Sequence, residues 1–260
     1  MSGGEAIWAD AASAPAGTVI FVHGYLDGPA VWGRVIQKLR LPGWRSMTVG
    51  LQPVNSSLAS SRALLEQYAQ QVLDQQSANA ASGRDPVVVV GHSMGGQIAE
   101  LAALRLGETL AGLVLVTPAP LAGYPLPAVV MERFESRAGM TDVTAIKEGK
   151  RILAAALDDE ALETLASSTA ATSRDAALEQ LRAWTGGHPA GQRKSDVNAP
   201  VLTIATDDTF FTAERLTRDA ERFPASSVQR IAGAGHWPQL EQPAVLADAI
   251  SQFVHSLARP

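Results

Sequence analysis

Residues 86–107 constrain this chain more than any other segment. Val87-Val88-Val89-Val90 is an unbroken β-branched run, the mark of a parallel strand buried on both faces. It leads directly into Gly91-His92-Ser93-Met94-Gly95, and Ile98, Leu101, Ala102 and Leu104 continue at helical spacing until Gly107 can close the helix. Strand, glycine-flanked turn and helix in that order put Ser93 on a strained tight turn with its hydroxyl exposed. The glycines are needed because such a turn leaves no room for a Cβ against the neighbouring strand and helix. The helix N-terminus behind Ser93 adds partial positive charge where an oxyanion would form. A bare five-residue match says little; the same match between a buried strand and a helix says much.

The rest of the chain reads as a sheet built around that strand. Residues 18–22 and 46–49 are further strand runs, and Leu64, Leu65, Tyr68 and Val72 share one helix face. Residues 113–116, 201–205 and 228–231 supply more strands, with a helix near 214–222. The last helix carries Leu246, Ile250, Phe253 and Leu257 on its inward face. This alternation predicts an α/β fold, a mostly parallel central sheet with helices on both sides. The rhythm breaks after Thr117. Pro118, Pro120, Pro125 and Pro127 stiffen the connection, and helical periodicity then runs with no strand to about Trp184, until Gly186-Gly187-His188-Pro189 and Gly191. The expected organisation is one core formed by 1–119 and 193–260, with 120–192 as a helical cap inserted over the sheet. The first dozen residues read as a loosely held lead-in.

Composition removes several alternatives. A net charge of −5 with no Lys/Arg cluster argues against a nucleic-acid partner. No run approaches the roughly 20 apolar residues of a membrane span, and no membrane partner is expected. The opening Met1-Ser2-Gly3-Gly4-Glu5 lacks the basic and apolar regions of a secretory signal, so a cytoplasmic protein is expected. With no cysteine, disulfides, thiolate metal sites and a cysteine nucleophile are excluded together. The histidines never fall at metal-ligand spacing with a carboxylate, so no metal is expected. The chemistry must rest on Ser, His, Asp and Glu.

A serine nucleophile needs a base, and the base an orienting acid. Among five histidines, His236 stands in Gly233-Ala234-Gly235-His236-Trp237-Pro238, between the last strand and the last helix. Such a loop at the C-terminal edge of a parallel sheet can reach the serine. Asp207 and Asp208 both follow the 201–205 strand, giving the chain order Ser…Asp…His that goes with this turn. His23 reads as structural, its ring tying the neighbouring loop, and His92 as a packing residue within the turn.

These segments resemble the α/β-hydrolase family over most of the chain. The resemblance rests on Val22-His23-Gly24-Tyr25, on Gly91-His92-Ser93-Met94-Gly95-Gly96, on the strand and acid segment 200–208, and on 233–238 with Leu240-Glu241 and Pro243. It implies that the acid comes three residues after the small residue ending the strand, which gives Asp208 first and Asp207 second. The alternative acid position after the preceding strand, Thr117-Pro118-Ala119-Pro120, holds no carboxylate. It further implies an oxyanion hole from the N–H groups of Tyr25 and Met94. The chain departs from many relatives at 49–57, where an Asp-x-x-Gly-x-Gly-x-Ser loop is replaced by Val49-Gly50-Leu51-Gln52-Pro53-Val54-Asn55-Ser56-Ser57. A serine at the nucleophile position sets it apart from dehalogenases and common epoxide hydrolases.

The expected activity is hydrolysis of a small to medium, largely apolar carboxylic ester or lactone through an acyl-enzyme on Ser93, with no cofactor. Trp32, Phe211 and Trp237, with Tyr25 and Phe210, flank the motifs as candidates for the substrate pocket; Met131, Phe134 and Trp184 are candidates from the cap. A carbon–carbon hydrolase or cofactor-free perhydrolase on the same triad, or a ligand receptor on the same scaffold, stays open. So does the oligomeric state.

Overall fold

The structure, a computed structural model, describes residues 6–7, 16–54, 59–79 and 85–257. Its sheet has seven strands: β1 (Ala6–Ile7), β2 (Gly17–Val22), β3 (Trp44–Val49), β4 (Val87–His92), β5 (Leu110–Val116), β6 (Val201–Ala205) and β7 (Ser226–Arg230). They lie in the order β1-β3-β2-β4-β5-β6-β7, and all adjacent pairs are parallel except β1 with β3. The uniform apolarity of β4 has a direct cause. Val87 and Val89 enter one core layer with Leu64, Leu65 and Ile98, while Val88 and Val90 enter the opposite layer with Trp32, Leu246 and Ile250. Side chains alternate between faces, and both faces are covered, so all four positions from Val87 to Val90 are apolar.

The helices covering the sheet are α1 (Gly33–Ile36), α2 (Ser61–Asn79) and α3 (Met94–Leu106). Between β5 and β6 come α4 (Ala128–Ser136), α5 (Val143–Arg151), α6 (Asp159–Ala171) and α7 (Arg174–Gly186). The chain ends with α8 (Ala213–Ala220), α9 (Pro238–Glu241) and α10 (Pro243–Leu257). Short 3₁₀ turns precede α1, follow α3 and close the insertion at Pro189–Gln192. In the insertion, side chains of Asp142, Asp158 and Ser173 cap the first amides of α5, α6 and α7. Its two ends are stitched together: His188 N–H donates to the Leu121 carbonyl at 2.7 Å, and Tyr124 N–H to the Thr185 carbonyl at 2.9 Å. Leu181 and Trp184 of α7 join the same core layer as Leu64, Leu65 and Tyr68 of α2, so the insertion shares its apolar interior with the sheet layer.

Some local details differ from expectation. The connection from β2 to β3 holds α1, which is too short to leave a helical period in the sequence. The last strand begins at Ser226, and Ile231 falls outside it. All five β7 residues are exposed, as suits a polar edge strand. Ala6–Ile7 forms an antiparallel edge pair that the pattern did not reveal; the rest of the lead-in lies outside the described residues. Among the described residues, no helix is long and apolar enough to cross a membrane.

Candidate active site

Strands β2 and β4 are neighbours although β3 lies between them in the chain, and Val22 pairs with Gly91. The loop after β2 and the turn after β4 therefore emerge side by side at the C-terminal edge, where the chain order reverses. Ser93 sits there at φ 53°, ψ −122°, a left-handed conformation worth about 1–3 kcal/mol of strain for a residue with a Cβ. Three backbone bonds hold it: Ser93 N–H donates to the Val116 carbonyl (3.1 Å), and its own carbonyl accepts from Gly96 N–H (2.9 Å) and Ala119 N–H (3.0 Å). A Cβ on Gly91 would collide with the Gly95 carbonyl, and one on Gly95 would lie 2.5 Å from the carbonyl oxygens of both Val22 and His23. Glycine at both positions is thus set by the approach of backbone to backbone.

The loops after β6 and β7 are joined before their acidic and basic side chains meet. Thr206 Oγ1 donates to the Gly235 carbonyl at 2.7 Å, and Asp207 N–H to the Ala234 carbonyl at 2.9 Å. In that frame His236 Nδ1 donates to Asp208 Oδ2 at 2.7 Å, while Asp208 Oδ1 accepts from Phe210 N–H at 2.8 Å. Burial alone would push the Asp208 carboxyl up; the imidazole and the amides of Phe210 and Phe211 overcome this and hold it below the usual range. Asp207 turns the other way, to Arg230 Nη2 (2.7 Å) and Gly233 N–H (2.8 Å). Only Asp208 of the two acids meets the imidazole. The backbone of His236 is fixed as well. Its N–H donates to the Leu153 carbonyl (2.9 Å), and its carbonyl accepts from Thr117 Oγ1 (3.2 Å) and His92 Nε2 (2.7 Å).

His92 is therefore more than packing: it carries its proton on Nε2, because the group facing that nitrogen is a carbonyl. Its Nδ1 lies 3.5 Å from Asp27 Oδ2. Burial pushes the His92 imidazole below its usual range, with Asp27 opposing. Asp27 is the hub the sequence did not announce. Its carboxylate, 1% exposed, accepts from Trp237 Nε1 at 3.1 Å and pairs with Lys150 Nζ of α5 at 3.2 Å. Burial would raise this carboxyl, but the Lys150 ammonium holds it well below the usual carboxylate range. His23, as expected, braces the adjoining loop: Nδ1 donates to the Gly24 carbonyl (2.9 Å) and Nε2 accepts from Leu51 N–H (3.3 Å). Tyr25 and Leu26 form the middle of a turn closed by Asp27 N–H on the Gly24 carbonyl (3.3 Å). Gln180 of α7 accepts from Leu26 N–H at 3.0 Å, and Thr169 of α6 donates to the Leu26 carbonyl at 3.1 Å. Glu241, quoted above only as part of a motif, accepts from the amides of Gly235, Trp237, Ala155 and Ala156, clamping the His236 loop to the chain after α5.

Ser93 and His236 line one cavity of about 200 Å³. Of the expected pocket residues, Tyr25, Phe134, Trp184, Phe211 and Trp237 line it too, with Phe210 beside them. The rings of Tyr25, Phe134, Trp184 and Phe210 form a chain of contacts with centroids 5.9–6.3 Å apart. Trp32 is not in this wall. It is fully buried in the opposite core layer, its ring 5.1 Å from Phe21, because the turn before α1 folds it under the sheet. Met131 is also outside the wall: it packs, like Phe134 of the same helix, against the core layer that holds Trp184, but of the two only Phe134 reaches the cavity. Met94, expected as an oxyanion donor through its N–H, opens α3 directly after Ser93, and its side chain is core. Ile146, Lys150, Leu153, Met140 and Arg137 of the insertion also line the wall, and none of these was expected as a site residue.

Comparison with known proteins agrees with this architecture. A family model described as "Alpha/beta hydrolase family" matches residues 19–249. Esterase PIR7B of Oryza sativa subsp. japonica is 27% identical over 262 residues, covering 91% of this chain and 95% of the relative. Among solved structures, MenH from S. aureus has a TM-score of 0.80 at 16% identity and covers 100% of both chains. A thermophilic esterase from Thermogutta terrifontis has a TM-score of 0.74 at 20% identity, covering 95% of this chain and 92% of its own. The family match spans nearly the whole sheet together with the elbow and both loops that meet at His236, and on that ground the chain belongs to the alpha/beta hydrolase family.

Proposed function

We propose that this hydrolase cleaves a carboxylic ester or lactone through an acyl-enzyme on Ser93. The observation that carries the reading is the Asp208–His236 pair, joined at 2.7 Å, opening on the same cavity as the strained Ser93. Asp208 accepts the hydrogen bond from Nδ1–H and so keeps the proton on that nitrogen, leaving Nε2 free to accept the serine proton. As Ser93 Oγ attacks the carbonyl carbon, His236 Nε2 takes its proton. The carbonyl oxygen becomes an oxyanion, stabilised by the N–H groups of Tyr25 and Met94 and by the N-terminus of α3. Collapse of the tetrahedral adduct breaks the carbon–oxygen bond, and His236 protonates the departing alcohol. Water then repeats the sequence on the acyl-enzyme, releasing the acid and restoring Ser93. Each step uses only side chains and backbone amides of this protein and one water, and no cofactor enters.

In the same reading residues 120–192 act as a cap. Support comes from Phe134, Trp184, Ile146 and Leu153, which wall the cavity and surround the acyl or alcohol portion with apolar surface. A small to medium ester with a largely apolar chain suits that wall. The direct test is a fluorophosphonate probe followed by peptide mass spectrometry, alongside turnover of short 4-nitrophenyl esters. The expected result is one adduct, on Ser93, and an initial burst of alcohol. Labelling of another residue would overturn the mechanism, and Ser93 labelling without turnover of any ester would favour a receptor.

A further inference from the structure

The charged groups of the cavity wall are all of one sign beyond the catalytic pair. Arg137 and Lys150 line it, and no Asp or Glu does. This runs against the chain's composition, in which 26 acidic residues outnumber 21 basic ones. The two cations differ in their surroundings. Lys150 is 11% exposed and already neutralises buried Asp27, with its ammonium 4.9 Å from the centre of the Trp237 ring. Arg137, at the C-terminal end of α4, is exposed, and its guanidinium pairs with no carboxylate among the described residues. One guanidinium nitrogen lies against Gly149 of α5, so the side chain reaches across from α4 to the helix that carries Lys150. Of the two cations, only Arg137 is without a carboxylate partner among the described residues and stands on the cavity wall to receive one.

We infer that the cavity selects esters whose chain ends in an anionic group, with Arg137 as the specificity-determining residue. This deepens the esterase reading and rests on it. The aromatic wall takes the methylene chain, and the guanidinium fork takes two oxygens of the terminal anion. A carboxylate and a phosphate both fit that fork. Lys150 adds charge nearby, but its bond to Asp27 makes it structural as well, so Arg137 is the residue to test.

The experiment compares hydrolysis of monoethyl adipate with that of ethyl hexanoate by pH-stat, in the wild type and in Arg137→Gln. A third substrate, ethyl 6-(phosphonooxy)hexanoate, distinguishes carboxylate from phosphate. The wild type is expected to favour an anionic ester in kcat/KM, with the preference shrinking as NaCl is raised. Arg137→Gln should lose about 10–100-fold more on the anionic esters than on ethyl hexanoate. Equal rates on all three in the wild type, or an equal loss on all three in the variant, would overturn the inference. Calorimetric titration with adipate and with hexanoate provides a readout independent of turnover. Tighter, Arg137-dependent binding of adipate with no ester hydrolysed would sink the esterase reading and keep the anion subsite; failure of adipate to bind better than hexanoate, together with active turnover, would do the reverse.

Discussion

Replacing Lys150 with methionine tests the buried hub under the His236 loop. The substitution keeps an unbranched, flexible side chain one atom shorter and removes the ammonium, leaving the Asp27 carboxylate, 1% exposed, without its cation. Breaking a buried pair from one side costs about 3–5 kcal/mol. The carboxyl can escape by taking a proton, which sets a ceiling of about 1.4 kcal/mol for each pH unit above its ordinary value. That ceiling is about 5 kcal/mol at pH 7.5 and about 2 kcal/mol at pH 5.5. In the wild type the Asp27 carboxyl is held below its usual range. Its stabilising contribution is therefore present above the ordinary carboxylate pKa and is lost as pH falls through the lower folded value. In the variant the carboxyl is raised, so the sign reverses and the deficit grows with pH. At roughly 2–4 °C per kcal/mol for a chain of this size, Tm should fall by about 6–20 °C at pH 7.5 and by no more than about 8 °C at pH 5.5. Thermal melts followed by circular dichroism at both pH values read this out. Pairing Lys150→Met with Asp27→Asn removes the stranded charge and should recover most of the loss, since asparagine can still accept the Trp237 indole N–H. A drop of equal size at both pH values, or below about 2 °C at pH 7.5, would refute the assignment of a buried charge pair.

Three further outcomes follow from the site. Ser93→Gly should abolish ester turnover by a factor of roughly 10³ or more, yet raise Tm by about 2–4 °C, because glycine relieves the positive φ; an unchanged or lowered Tm would show that the turn stores no strain. Asp208→Asn should reduce kcat by about 10²–10⁴ while Asp207→Asn, which loses only the half-exposed contacts to Arg230 and Gly233, leaves kcat within a few-fold; steady-state kinetics decides, and the reverse ranking would move the acid to Asp207. Phe134→Ala and Trp184→Ala should change the ratio of long- to short-chain ester turnover by about 10-fold or more, whereas Met131→Ala, outside the cavity wall, should scale all esters alike; an altered chain-length ratio in the Met131 variant would contradict the placement of that residue.

The elbow was legible because everything that makes it is close in sequence: a strand buried on both faces, two glycines forced by backbone contact, and the helix that follows. The same holds for the Ser, Asp and His order, each residue standing at the end of a strand whose pattern is local. Choosing between Asp207 and Asp208 needed the bond from Thr206 to the Gly235 carbonyl and that from Asp207 N–H to Ala234, which fix how the two loops face each other. The pocket was only half legible. An aromatic residue near a motif carries no sign of the direction its ring takes, so Trp32 and Trp184 looked alike; packing sends one under the sheet and the other into the cavity wall. Asp27 is the clearest case of information absent from the sequence pattern. In Leu26-Asp27-Gly28 it reads as an ordinary turn acid, and its meaning comes from Lys150, 123 residues away, and Trp237, 210 residues away. The sequence alone determined the fold class, the break in the strand rhythm after Thr117 and the candidate nucleophile, because short-range periodicity and steric rules specify them. The tertiary structure decided which acid meets the histidine, which rings face the cavity and which charges stand in its wall, because those depend on contacts between segments that no local pattern encodes.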